Sequence, residues 1–97
     1  MITVTAKLTV TEGKGADFEA AARKMIAAVK ANEAGKTLSY DLFKSPTEAN
    51  VYLFIETYAD DEALAAHRTT PHMGEFGAAL GGGLLSARTE IARWQPV

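Results

Sequence analysis

Two histidines stand in the run His67-Arg68-Thr69-Thr70-Pro71-His72. A histidine is the side chain most readily poised between acid and base near neutral pH, so both are candidates for proton transfer. His67 lies three residues after Leu64, a spacing that puts the two on one side of a helix. A histidine there could point into the space between helix and sheet. From the residues alone the favoured reading is a buried imidazole that only donates a hydrogen bond. His72 follows a proline at a helix start, where a solvent-exposed side chain is the simple expectation. Glu56 is the one acid inside the most apolar stretch, Val51 to Tyr58. Facing inward, its carboxylate must be hydrogen-bonded, ion-paired or protonated, because an unpaired buried charge is costly. It could orient His67, act as a base itself, or pair with Arg68, Arg88 or a basic residue of a second copy. Tyr40 and Tyr52 add phenolic side chains on the strands around it.

Other chemistries lack their residues. His67 and His72 are five positions apart across a proline, unlike the i, i+4 pair of a zinc-binding HExxH helix. His72 and Glu75 have helical i, i+3 spacing, but no second pair accompanies them as in a di-metal bundle. No metal is expected. Gly13, Gly15 and Gly81-Gly82-Gly83 match neither the dinucleotide fingerprint nor the P-loop, and no serine or cysteine sits in a nucleophile elbow. No cofactor is expected.

The elements that must position these residues are legible in the apolar periodicity. Ile2, Val4, Ala6, Leu8 and Val10 alternate with polar residues, which predicts a strand with two different faces. Gly13 and Gly15 break it. Asp17 suits a first helical turn, and Phe18, Ala21, Ala22, Met25, Ile26 and Val29 recur at helical spacing until Asn32 and Gly35. Thr37–Lys44 and Val51–Tyr58 read as strands joined by a short loop, hence an antiparallel hairpin. Asp60 is an expected N-cap, and Thr70-Pro71 a second cap with proline at the first helical position. The triple glycine is expected to end that helix, and Leu84 to Trp94 to form the last strand. The order is β-α-β-β-α-β with the second α broken at Pro71: an α+β, ferredoxin-like domain over residues 1–97, its helices on one face of an antiparallel sheet. Tyr52, Phe54 and Tyr58 share one face of the third strand, and Val51, Leu53 and Ile55 the other. Only one set can lie under the helices, so the other predicts an association surface and a homodimer.

Composition narrows the partners. The net charge is −2 and the ten basic residues are scattered, which disfavours nucleic acid. No apolar run approaches the ~20 residues of a membrane span, and Met1 leads straight into a strand pattern, so a cytoplasmic protein is expected. There is no cysteine to staple the core. A chain of this size leaves about a third of its surface unburied, and pairing with a second copy remains the common way to bury more.

Three segments resemble the antibiotic biosynthesis monooxygenase (ABM) family: Glu33-x-Gly35-x-x-Leu38-x-Tyr40, Tyr52-Leu53-Phe54-Ile55-Glu56-x-Tyr58, and Ala63-Leu64-Ala65-Ala66-His67 followed by Thr70-Pro71-His72-Met73 and Phe76. The resemblance covers nearly the whole chain and implies a dimeric α+β barrel. It also implies a pocket between helices and sheet near His67, Glu56 and Tyr40. Quinol monooxygenases of this family oxidise electron-rich phenolic rings with O₂, without metal or flavin. On that model His67 is the base, or hydrogen-bonds to it, and Glu56 orients it. Tyr40, Tyr52, Met73 and Phe76 wall the ring, with Arg68 and His72 beside it. A haem-degrading branch is disfavoured, since His67, Gly77 and Ala6 stand where it carries tryptophan, histidine and asparagine. A third branch, isomerases of small phosphorylated carbonyl compounds, has a segment close to His67–His72. There the same base would act next to a carbonyl, with Arg68 or Lys24 holding the phosphate. A binding dimer without chemistry is the non-enzymatic alternative.

Overall fold

Strict alternation in the first strand decides which way the sheet faces. In β1 (Ile2–Thr9), Ile2, Val4, Ala6 and Leu8 are buried, while the intervening threonines and Lys7 are half-exposed. The computed structural model describes all 97 residues and continues with α1 (Gly15–Asn32), β2 (Thr37–Lys44), β3 (Val51–Tyr58), α2 (Asp61–Arg68), α3 (Pro71–Ala79) and β4 (Glu90–Trp94). The sheet order is β2-β3-β1-β4, every pair antiparallel, which is the ferredoxin-like arrangement. No helix is long and apolar enough to cross a membrane.

The helix starts follow from their caps. Asp60 accepts from the Ala63 amide at 2.8 Å, and Thr70 from the Met73 amide at 3.2 Å with Pro71 behind it. Each cap satisfies an amide that the first turn leaves without an intrahelical partner. The chain therefore restarts a helix at Pro71 instead of continuing α2. Along α1 the buried stripe is Phe18, Ala22, Met25 and Val29, which lies against the sheet.

Two expectations need correction. The last strand does not run from Leu84 to Trp94. Only Glu90–Trp94 pairs with β1, and Leu85 contributes one isolated bridge to Val10. Between them the Ser86 amide donates to the Thr9 carbonyl at 2.9 Å and the chain bends away. The triple glycine does not simply end α3. The helix stops at Ala79 and widens into a five-residue turn, Leu80–Leu84, that closes at Gly83 with φ +94. That left-handed backbone suits glycine, and it brings the Gly83 carbonyl within 2.9 Å of the Thr11 hydroxyl that donates to it.

Of the two candidate faces of β3, the aromatic one lies under the helices. Tyr52, Phe54, Glu56 and Tyr58 are buried, and Val51, Leu53 and Ile55 line the open face at half exposure. The apolar core is not continuous. One cluster centres on Leu8, Phe18, Met25, Tyr52, Phe54 and Phe76, and a smaller one holds Ile2, Val4, Tyr58, Ala63 and Leu64. Polar side chains occupy the boundary between them.

Candidate active site

Those polar side chains come from five elements: the end of α1, and β2, β3, α2 and α3. His67 sits on the inner face of α2 beside Leu64, as their spacing predicts, and both are buried. Its Nδ1 lies 2.9 Å from Oε1 of Glu33, the residue that follows α1. The Glu33 carboxylate is buried at 6 % exposure and also accepts from the Thr37 hydroxyl at 2.6 Å and from Nε2 of His72. Burial, the largest single influence, pushes the Glu33 carboxyl upward, but the hydrogen bonds from His72, Thr37 and His67 outweigh it and hold the group below the ordinary carboxylate range. Glu33 is thus an anion at neutral pH, and an anion only accepts. Both imidazoles must donate to it. In its neutral form His67 then carries its proton on Nδ1, and the lone pair is on Nε2.

Glu56 neither orients His67 by a hydrogen bond nor pairs with Arg68 or Arg88, and its burial and raised pKa are compatible with the expected role of a base. Its Oε1 accepts from the Tyr58 hydroxyl at 2.5 Å. Burial raises its pKa, and the Tyr58 hydrogen bond and the nearby His67 and Arg68 offset this only in part. Tyr40 and Tyr58 are pushed well above the ordinary phenol value, by burial first and then by the neighbouring Glu56 charge. Both phenols therefore stay protonated and can donate but not act as bases. The His67 ring is held between them, with centroids 5.4 Å from Tyr40 and 5.3 Å from Tyr58.

A cavity of about 220 Å³ opens between α2, α3 and the sheet. Tyr40, Glu56, His67, Arg68, Met73 and Phe76 all line it. Its remaining walls are apolar except for Thr89. His67 Nε2, the second Glu56 oxygen and the Tyr40 hydroxyl have no hydrogen-bond partner in the protein, yet no fully buried side-chain polar atom lacks one. Each of these atoms must therefore meet open space: His67 and Glu56 border this cavity alone, and Tyr40 borders both it and a neighbouring cleft. A base, a donor and a carboxyl group converge on an apolar slot, the arrangement expected of a small-molecule site.

Two expected pocket residues lie elsewhere. Tyr52 packs against Phe18 at 4.7 Å between centroids, and its hydroxyl donates to Glu19 at 2.6 Å. Burial, then that bond, pushes its phenol up to about 12. It faces a separate cleft lined by Glu19, Arg23 and Lys44. His72 is not the exposed side chain that its place at a helix start suggests. Its side chain is 13 % exposed, drawn in by Glu33, and it borders a groove between α1 and α3 with Lys24 and Glu75. No group of three or more His, Asp or Glu side chains is arranged to hold a metal ion.

Glu33 itself did not stand out among the chemical candidates. A signal existed: an acid at the C-terminal end of a helix opposes the helix dipole, so it needs compensating donors nearby. One of those donors, Thr37, is four residues away, but the two histidines are 34 and 39 residues away along the chain.

The raised pKa of Glu56 makes a prediction about stability. The folded state binds the Glu56 proton more tightly than the unfolded chain, so stability falls as pH rises from the ordinary value of 4.5 through the folded value. Glu56→Gln keeps an acceptor for Tyr58 and removes the charge. At pH 8 the variant is expected to be more stable by about 1 kcal/mol, the scale of an uncompensated buried polar group. Below pH 4.5 the difference should close. Thermal unfolding at both pH values decides it, and a variant less stable at pH 8 would contradict the burial argument.

Comparison with known proteins agrees with this fold. The family model for "Antibiotic biosynthesis monooxygenase" matches residues 1–79. The chain belongs to that family. It is 31% identical over 93 residues, 96% of this chain and 95% of the other, to the Bacillus subtilis (strain 168) protein named "Putative monooxygenase YcnE". A crystal structure from Caulobacter crescentus CB15, described as a putative antibiotic biosynthesis monooxygenase, superposes with a TM-score of 0.93 at 38% identity, covering 99% of this chain and 89% of that one. PA3566 from Pseudomonas aeruginosa gives 0.87 at 28% identity, covering 99% of this chain and 93% of that one.

Proposed function

We propose that this protein is a cofactor-independent monooxygenase that oxidises a small phenolic or quinol ring with O₂. The observation that carries the reading is a free imidazole nitrogen, held by a buried carboxylate, opening into an apolar slot wide enough for a single ring. Nε2 of His67 takes the phenolic proton, and the imidazolium that forms is stabilised by the Glu33 anion across the 2.9 Å bond. The electron-rich phenolate passes an electron to O₂, and the two radicals combine at a ring carbon. One oxygen atom stays on that carbon and the other leaves as water as the ring becomes a quinone. Phenol plus O₂ balances to quinone plus water, with no outside reductant. In this reading the Tyr40 hydroxyl donates to the substrate oxygen, and Met73, Phe54 and Phe76, which line the cavity, exclude water from the anion.

The same chain is proposed to act as a homodimer through the open face of the sheet. Val51, Leu53 and Ile55 lie there beside Phe43 and Trp94, which are 51 % and 57 % exposed. Light scattering at micromolar concentration should report twice the 10.3 kDa chain mass, and Leu53→Glu should return it to one. The isomerase reading has one supporting feature, the Arg68 cation at the cavity. Against it, Lys24 is tied to Glu75 outside the cavity, and Glu56 would face the phosphate.

The test is oxygen uptake by metal-free protein against hydroquinones and hydroxynaphthalenes. Uptake above autoxidation, with one oxygen atom from ¹⁸O₂ in the quinone product and no hydrogen peroxide released, supports the monooxygenase. Its absence, with turnover of a phosphorylated ketose, would replace that reading by the isomerase.

A further inference from the structure

His67 and His72 divide one carboxylate between them. Glu33 receives His67 Nδ1 and Thr37 on Oε1, and His72 Nε2 on Oε2. The two imidazoles differ in what else they reach. His67 opens only onto the cavity, whereas His72 borders the outer groove beside the Lys24–Glu75 ion pair. We propose that His72 is a positioning residue that transmits solvent pH to the cavity base through the shared Glu33 carboxylate; this rests on the reading of His67 as the base.

The physical argument is charge counting in a buried space. With both imidazoles neutral the cluster carries −1, and one added proton brings it to zero. A second proton would leave a buried +1, opposed by desolvation and by repulsion between the rings. The two sites therefore titrate as one coupled unit. When His72 takes a proton from the groove, Glu33 is already neutralised and gains less from an imidazolium at His67. The cavity base weakens. The other polar or charged groups packed on this unit are Thr37 and Tyr40 from β2, Glu56 and Tyr58 from β3, Arg68 from α2, Lys24 from α1 and Glu75 from α3. Of these only Thr37 bonds to the set, as a neutral donor, while Glu56 is bonded to Tyr58 instead.

The experiment is a ¹⁵N NMR titration of the imidazoles in substrate-free protein, from about pH 5 to 9, where histidines titrate. Wild type is compared with His72→Gln. Glutamine keeps an N–H for Glu33 but takes no proton, so a purely structural role survives the change. In wild type, His67 should show the Nδ1–H tautomer and a two-step curve whose second inflection coincides with that of His72. In His72→Gln that inflection should vanish. With a substrate in hand, the acid limb of kcat should lose the same inflection while KM stays within about twofold. A single-step His67 curve in wild type, or curves that superimpose in the two proteins, overturns the proposal. If His72→Gln does not fold, the wild-type curve alone decides between one step and two. Because the NMR readout needs no turnover, coupling without oxygen uptake would discard the monooxygenase and keep the His72–Glu33–His67 unit.

Discussion

Replacing His67 by alanine is expected to lower kcat/KM for phenol oxidation by about two to four orders of magnitude, the usual worth of a positioned general base. Of the other groups at the cavity only the second Glu56 oxygen could accept a proton, and it lacks the carboxylate that backs His67. Tyr40 is held protonated by burial, and Glu56 is spent in part on the Tyr58 hydrogen bond. The alanine variant also leaves the buried Glu33 without one of its donors, at a cost to stability of about 1–3 kcal/mol. His67→Asn separates the two effects. Its amide can reach the place of Nδ1 and donate to Glu33, but it carries no base at the place of Nε2. It should fold nearly as well as wild type and be as slow as the alanine variant. Full turnover by either folded variant would remove His67 from the mechanism. Lost turnover by alanine alone, with asparagine active, would mean that holding Glu33 in place was its whole contribution.

Phe18→Ala is expected to cost about 3–5 kcal/mol, the range for emptying a buried phenylalanine site. Phe18 has no exposed surface, and its ring meets Tyr52 at 4.7 Å and Phe76 at 6.4 Å. It joins α1 to both the sheet and α3, so no single neighbour can collapse into the space it leaves. For a domain of this length, each kcal/mol is about 4–8 °C of melting temperature, and the loss approaches the whole stability of a typical small domain. Phe18 does not line the cavity, so the fraction that remains folded should keep its activity per folded molecule. Denaturant unfolding followed by circular dichroism measures the cost. A loss under about 1 kcal/mol would mean that the core is less tightly packed around α1 than the ring distances imply.

Much of this architecture was legible from local chemistry. The alternation of β1, the α1 stripe, the 37–44 and 51–58 strands and the Asp60 and Thr70 caps all depend on residues within a few positions of one another. Such signals survive without tertiary context. The last strand was misjudged because Leu84, Leu85 and Ile91 look alike as apolar residues. Whether they pair depends on how far β1 extends and on the left-handed turn at Gly83.

At the site the division falls differently. The sequence by itself made His67 a candidate for the inner face, because the i, i+3 spacing from Leu64 puts the two on one side of a helix, and packing decided that it is buried there. The sequence also determined that Glu56 lies in an apolar strand and needs a partner. What only the tertiary structure decided is which carboxylate serves which group. Glu56 turns to Tyr58, two residues along its own strand, while Glu33 crosses from the end of α1 to both histidines. A hydrogen bond requires about 3 Å between atoms and is indifferent to their separation along the chain. Two acids of equal chemistry therefore cannot be told apart until packing has placed them.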